Sequence, residues 1–189
     1  LLGLMSAAAN RPMNWNVLTV DSREADRVPR QISAYDRSIE LGGKVVALTM
    51  PVQVPMNMSF SSFCGLWLLP GWQQILGVPL AERIQRLQDP DTRVLMLENS
   101  LSQAAGVFRR LADWGDYVIG DTYSAANEGL KGRVVRDVAI ERGKSSFGTL
   151  LDIVIADELK TILWPTPQDD DAESWRMRAE LWQDGRAMI

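Results

Sequence analysis

The chain has 189 residues, 46% hydrophobic and 23% charged, and its 20 Lys+Arg against 24 Asp+Glu give a net charge of −4. That is the balance of a folded globular chain of about one domain, or one domain with a large excursion. It argues against nucleic acid as the main partner, and no apolar run approaches the roughly 20 residues that a membrane-spanning helix needs.

Residues 1–9 are predicted as the last turns of a helix, stopped by Asn10-Arg11-Pro12. Met13–Val20 alternates polar and apolar residues and is predicted as a strand. Ala25, Val28, Ile32, Tyr35 and Ile39 recur at helical steps, with Pro29 suited to the helix start and Gly42-Gly43 to its end. Lys44–Met50 follows as a short apolar strand closed by Pro51. Strand, helix and strand make a βαβ unit over residues 1–51, and hence a parallel sheet.

Residues 52–132 break that rhythm, with Pro55, Pro70, Pro79 and Pro90 punctuating them. Short helices are expected at Leu66–Leu76 (interrupted by Pro70-Gly71), Leu80–Gln88 and Asp91–Gly106, with a strand around Tyr117-Val118-Ile119. So long a connection implies a structured insertion. Over residues 133–189 the βα rhythm is expected to return. Val134–Arg142 forms a helix stopped by Gly143, and Ser145 or Ser146 caps a second helix running to about Ala156. Lys160–Trp164 reads as a strand, and Ser174–Trp182 as a helix capped by Asp171 or Ser174. Arg186–Ile189 reads as a strand start. With no Met before Leu1 and a strand only beginning at Arg186, both ends are expected to be cut from something longer. Four parallel strands separated by helices fit an open α/β sheet or part of a (β/α)8 barrel.

The chemistry is constrained by two counts. There is no histidine and one cysteine, Cys64, so no Ser-His-Asp triad, Cys-His pair, His-based zinc site or internal disulfide can be completed from these residues. A reducing, cytoplasmic setting is the expectation.

Several stretches resemble a known family. Asn127–Arg133, Val138–Lys144, Leu150-Leu151-Asp152 and Ile162-Leu163-Trp164 are similar to the C-terminal half of the N-acyl-D-amino-acid deacylases, the D-aminoacylase branch of the metal-dependent amidohydrolases. Arg11–Leu18 and Val46–Pro51 resemble the fifth and sixth strands of that barrel, and Leu69–Trp72 part of the insertion of one subgroup. The resemblance implies a partial (β/α)8 TIM-type barrel, about strands five to eight, with a mixed, mainly helical insertion. It also implies a parent enzyme with one or two zinc ions at the barrel rim, polarising the amide and lowering the pKa of a bound water to about 7. An aspartate of the eighth strand, in a Gly-Ser-Asp stretch following one like Ala187-Met188-Ile189, would act as general base. That stretch and the family's early His-x-His pair are not among these residues. Where the family usually has a metal-binding histidine, at the end of the fifth strand, this chain has Asn14-Trp15-Asn16. No metal ligand or catalytic residue is therefore assigned, and the segment alone is expected to be inactive and to bind no zinc.

Asn14, Asn16, Thr49 and Met50, at the rim-facing ends of the two strands, are the candidate substrate-binding residues. The asparagines serve equally to order a strand-to-loop turn, and Thr49 and Met50 to pack the barrel. Phe60, Met56, Met58, Trp67 and Trp72 either line an acyl pocket or pack the insertion, packing being the default. Cys64 is expected as a small buried hydrophobe, and Asp169-Asp170-Asp171 as a loop with a helix cap rather than a calcium site. Lys131-Gly132-Arg133 meets a substrate carboxylate or forms a solvated turn. The expected function is a segment of a zinc-dependent amidohydrolase hydrolysing the N-acyl bond of D-amino acids or similar small amides. Its partners would be a small-molecule N-acyl amino acid and the rest of the barrel or a second copy, without nucleic acid or membrane. The alternative is a non-catalytic α/β interaction or assembly module.

Overall fold

In the computed structural model, which describes residues 1–53, 56–167 and 169–189, the chain forms two units, Leu1–Val54 with Pro167–Ile189, and Pro55–Thr166. No helix among the described residues is long and apolar enough to cross a membrane.

The first unit is a mixed α/β layer. Strands β1 (Met13–Asn16), β2 (Val45–Leu48) and β5 (Ala187–Met188) form a parallel sheet in the order β1-β2-β5. Helix α2 (Arg27–Glu40) links β1 to β2, and helix α8 (Ala172–Gln183) precedes β5. Alternation along β1 sends Trp15 to one face, where it joins Leu18, Val20, Ile32, Ala47 and Leu181 in a core closed by Val28, Met177 and Ala187. Both helices contribute to that core, Val28 and Ile32 from α2, Met177 and Leu181 from α8.

Helix α1 (Leu2–Ala9) ends at Asn10, whose left-handed backbone (φ 48°) terminates it. Its one buried residue is polar: the Ser6 hydroxyl donates to the Arg11 and Lys44 carbonyls (2.5 and 3.1 Å) and accepts from the Lys44 amide (2.9 Å). Leu1, Leu2, Leu4 and Met5 face outward. The helix sits so close to the chain after α2 that a Cβ on Gly43 would lie 2.5 Å from the Gly3 carbonyl oxygen.

The second unit is mainly helical. A 3-10 turn, Gly65–Leu68, leads to α3 (Trp72–Leu76), α4 (Leu80–Gln88) and α5 (Pro90–Leu101), then to a 3-10 stretch, Gln103–Ala112, kinked at Gly106 (φ 51°). Asp89 caps α5, accepting from the Thr92 amide at 2.8 Å. Helices α6 (Val135–Glu141) and α7 (Ser146–Ala156) follow, and of the two candidate caps it is Ser145 that starts α7, accepting from the Gly148 amide at 3.1 Å. Alternating positions of α7 do not separate into two faces. Phe147, Thr149, Leu150, Leu151, Ile153 and Val154 are all buried, so it is the central helix of this unit.

Around α7 lies an aromatic core. Trp72 and Trp114 stack with centroids 5.4 Å apart, Trp114 continues to Tyr117 at 5.9 Å, and Phe147 meets Trp114 at 5.1 Å. The polar ends are satisfied at Trp72, whose Nε1 donates to the Met96 carbonyl (3.0 Å), and at Tyr117, whose hydroxyl donates to Leu111 (2.9 Å). Burial pushes the Tyr117 phenol well above its usual range.

Two sequence expectations change here. The stretch Lys160–Trp164 does not add a parallel strand to the sheet. Its ordered part, β4 (Leu163–Trp164), pairs antiparallel with β3 (Val118–Ile119), and Leu163 also bridges Met58. Leu163 is thereby fully buried in the helical unit, which is where its apolar side chain finds a core. Helices α6 and α7 likewise pack into that unit, which extends to Thr166, whereas the sequence rhythm suggested a division near residue 132.

Candidate functional site

The C-terminal edge of the parallel sheet is where the sequence candidates fall. The register pairs Asn14 with Val46, and Asn16 with Leu48 and onward to Met188. Partners across a ladder point to the same side, so these residues share the face opposite Trp15, Ala47 and Ala187. That face carries neither α2 nor α8. Asn14 and Asn16 are exposed there, two residues and about 7 Å apart along the strand. Past the strand ends the ladder continues, Leu18 N–H donating to the Leu48 carbonyl and Thr49 N–H to Met188, both at 2.8 Å. The Asn16–Val17 peptide is cis.

Thr49 and Met50 separate in role. Thr49 is buried at 4% exposure, whereas Met50 is 40% exposed beside it. The structure therefore brings Asn14 and Asn16 together on one open face, with Met50 exposed beyond β2 and Thr49 buried.

A clamp that sequence reasoning missed ties the loop after β1 to the N-terminus of α8. Arg178 is only 5% exposed; its Nη1 donates to the Asp169 carbonyl (2.8 Å) and its Nη2 to the Val20 carbonyl (3.2 Å), and it forms an ion pair with the Asp169 carboxylate. Its guanidinium carbon lies 4.6 Å from the centre of the Trp175 ring, a cation–π contact. Gln53 Nε2 reaches the other Asp169 oxygen at 3.4 Å. Beside it, the Ser22 amide donates to Ser174 Oγ (2.9 Å), which donates to Asp171 Oδ2 (2.6 Å). The signal was present in the sequence: Ser174, Arg178 and Leu181 are spaced by four and three, placing an arginine on the buried stripe of α8.

The carboxylates beside this clamp are engaged by neighbouring arginines or by Ser174. Asp171 is the helix cap, and hydrogen bonds from the Ser174 hydroxyl and amide hold its carboxyl down at about 2. Asp21 is also held below the usual carboxylate range, chiefly by the Arg23 side chain, against the opposing effects of burial and of Asp171. Carboxylates held down in this way are weak proton acceptors near neutral pH.

The remaining sequence candidates resolve as follows. Phe60, Met58 and Trp72 are buried core, Trp67 packs partly buried against it, and Met56 is exposed. Cys64 is half-buried against the same core, and burial pushes its thiol up. Lys131 pairs with Asp121 (2.5 Å) and Arg133 with Glu141, all at the surface. Asp170 accepts from Trp175 Nε1 at 2.8 Å. Among the described residues, no group of three His, Cys, Asp or Glu side chains stands close enough together to hold a metal ion.

Compared with known proteins, the chain matches no family model, no curated protein and no solved structure.

Proposed function

We propose that this chain forms an arc of the (β/α)8 barrel of an amidohydrolase of the N-acyl-D-amino-acid deacylase type, cleaving the N-acyl bond of D-amino acids or similar small amides. The observation that carries the reading is the β1-β2-β5 sheet. Its strands are parallel, α2 and α8 cover one face, and two exposed asparagines lie on the other near the C-terminal edge. In a barrel, helices cover the outside, and residues at the C-terminal strand ends face the substrate.

The zinc that such an enzyme uses does not fit the residues described in this chain. Histidine is absent, the rim carboxylates are bound to arginine or serine, and carboxamides are poor zinc ligands. On this reading the chain contributes recognition: the Asn14 and Asn16 carboxamides each offer donors and an acceptor to a substrate amide, Met50 an apolar contact, and Thr49 support from beneath. The protein would act in the cytoplasm on a small N-acyl amino acid.

The test is expression of the complete reading frame that contains these residues, assayed on N-acetyl-D-amino acids with and without a chelator. Chelator-sensitive hydrolysis with KM raised about tenfold by Asn16→Ala supports the proposal; a metal-supplemented, folded product with no hydrolysis of any N-acyl amino acid refutes it. A second reading, a non-catalytic assembly module, is favoured by α1, which turns Leu2, Leu4 and Met5 outward while Ser6 faces inward. Light scattering of the 189-residue chain tests it, self-association being expected and a monomer at all concentrations counting against it.

A further inference from the structure

We draw no further inference here: the strongest candidate, the helix-free face of the β1-β2-β5 sheet, where Asn14, Asn16, Leu48 and Met188 lie side by side, carries nothing because no feature of the structure shows what covers it.

Discussion

Asp157 offers the sharpest test of how the helical unit is held together. Helix α7 ends there, and the next two residues take left-handed backbone (φ 52° at Glu158, 66° at Leu159), so that the Leu159 amide returns to the Val154 carbonyl at 2.6 Å. The Asp157 carboxylate, 2% exposed, fixes this turn by accepting from the Ser124 amide (2.8 Å) and the Thr161 hydroxyl (2.6 Å). Asp157→Ala would leave both donors without their acceptor. Thr161 is fully buried and loses the larger share; at about 1–3 kcal/mol for each orphaned buried group, the expected loss is about 3 kcal/mol. Asp157→Asn keeps one oxygen for Ser124 and should lose about 1 kcal/mol. The sign of the pH dependence follows from the same geometry. Burial alone would raise the Asp157 pKa, but hydrogen bonds from Thr161, Ser124 and Asn127 outweigh it and hold the group below its ordinary value. The unfolded chain then binds the proton first, so stability is present above about pH 4, the range of an unfolded aspartate, and is lost as pH falls through the lower folded value. Urea unfolding followed by tryptophan fluorescence at pH 7 and pH 3, with amide hydrogen exchange at Ser124, reads both effects. A loss below about 0.5 kcal/mol with unchanged protection of Ser124, in Asp157→Ala, would refute the role of this carboxylate in fixing the turn.

Other perturbations follow from single contacts. Gly43→Ala places a methyl group 2.5 Å from the Gly3 oxygen and 2.9 Å from the Ala7 nitrogen, so α1 must shift. A cost of about 1–3 kcal/mol, seen as faster amide exchange across residues 5–9, is the expected outcome. Trp72→Ala removes a fully buried ring stacked on Trp114 and should cost about 3–5 kcal/mol in the helical unit, measured by denaturation. Asp171→Ala removes the acceptor of the Ser174 amide and hydroxyl and should fray the first turn of α8. In the wild type that cap persists until pH falls through about 2, because the carboxylate is the accepting form and its folded pKa is depressed; an NMR titration of the Ser174 amide checks it.

Local structure was legible where one segment carries its own signal. The helix Arg27–Glu40 follows from apolar residues at helical steps, α4 matches its expected span, and Ser145 caps α7 as its type and position suggest. Pairing partners were not legible. Lys160–Trp164 reads as a strand, but nothing within it distinguishes a parallel place beside β2 from an antiparallel place beside β3; the choice falls to Leu163, buried between Met58 and Ile119. The slot beside β2 goes instead to Ala187-Met188, 140 residues from Ala47 in sequence. Local propensity says little about contacts at that separation, which depend on which apolar faces remain to be buried.

The same separation between local and long-range information explains why the candidate site was only half visible. Asn14 and Asn16 are candidates from the sequence because they lie near the end of a legible strand, and their spacing of two puts them on one face. Arg178 was not, because its partners, Val20 and Asp169, come from other segments of the chain. Yet it is the charged groups that are already engaged here: Arg178 pairs with Asp169 and Arg23 with Asp21, while Asp171 accepts from the neutral Ser174 hydroxyl. At Asp171 and Asp21 those bonds hold the carboxyl below its ordinary range, and a carboxylate stabilised by hydrogen bonds gives up its basicity. The charged rim thus orders the loops, while the uncharged Asn14 and Asn16 remain on the helix-free face. A ligand meeting that face from solution would be read by neutral hydrogen bonds rather than by charge, so its binding should change little with salt concentration.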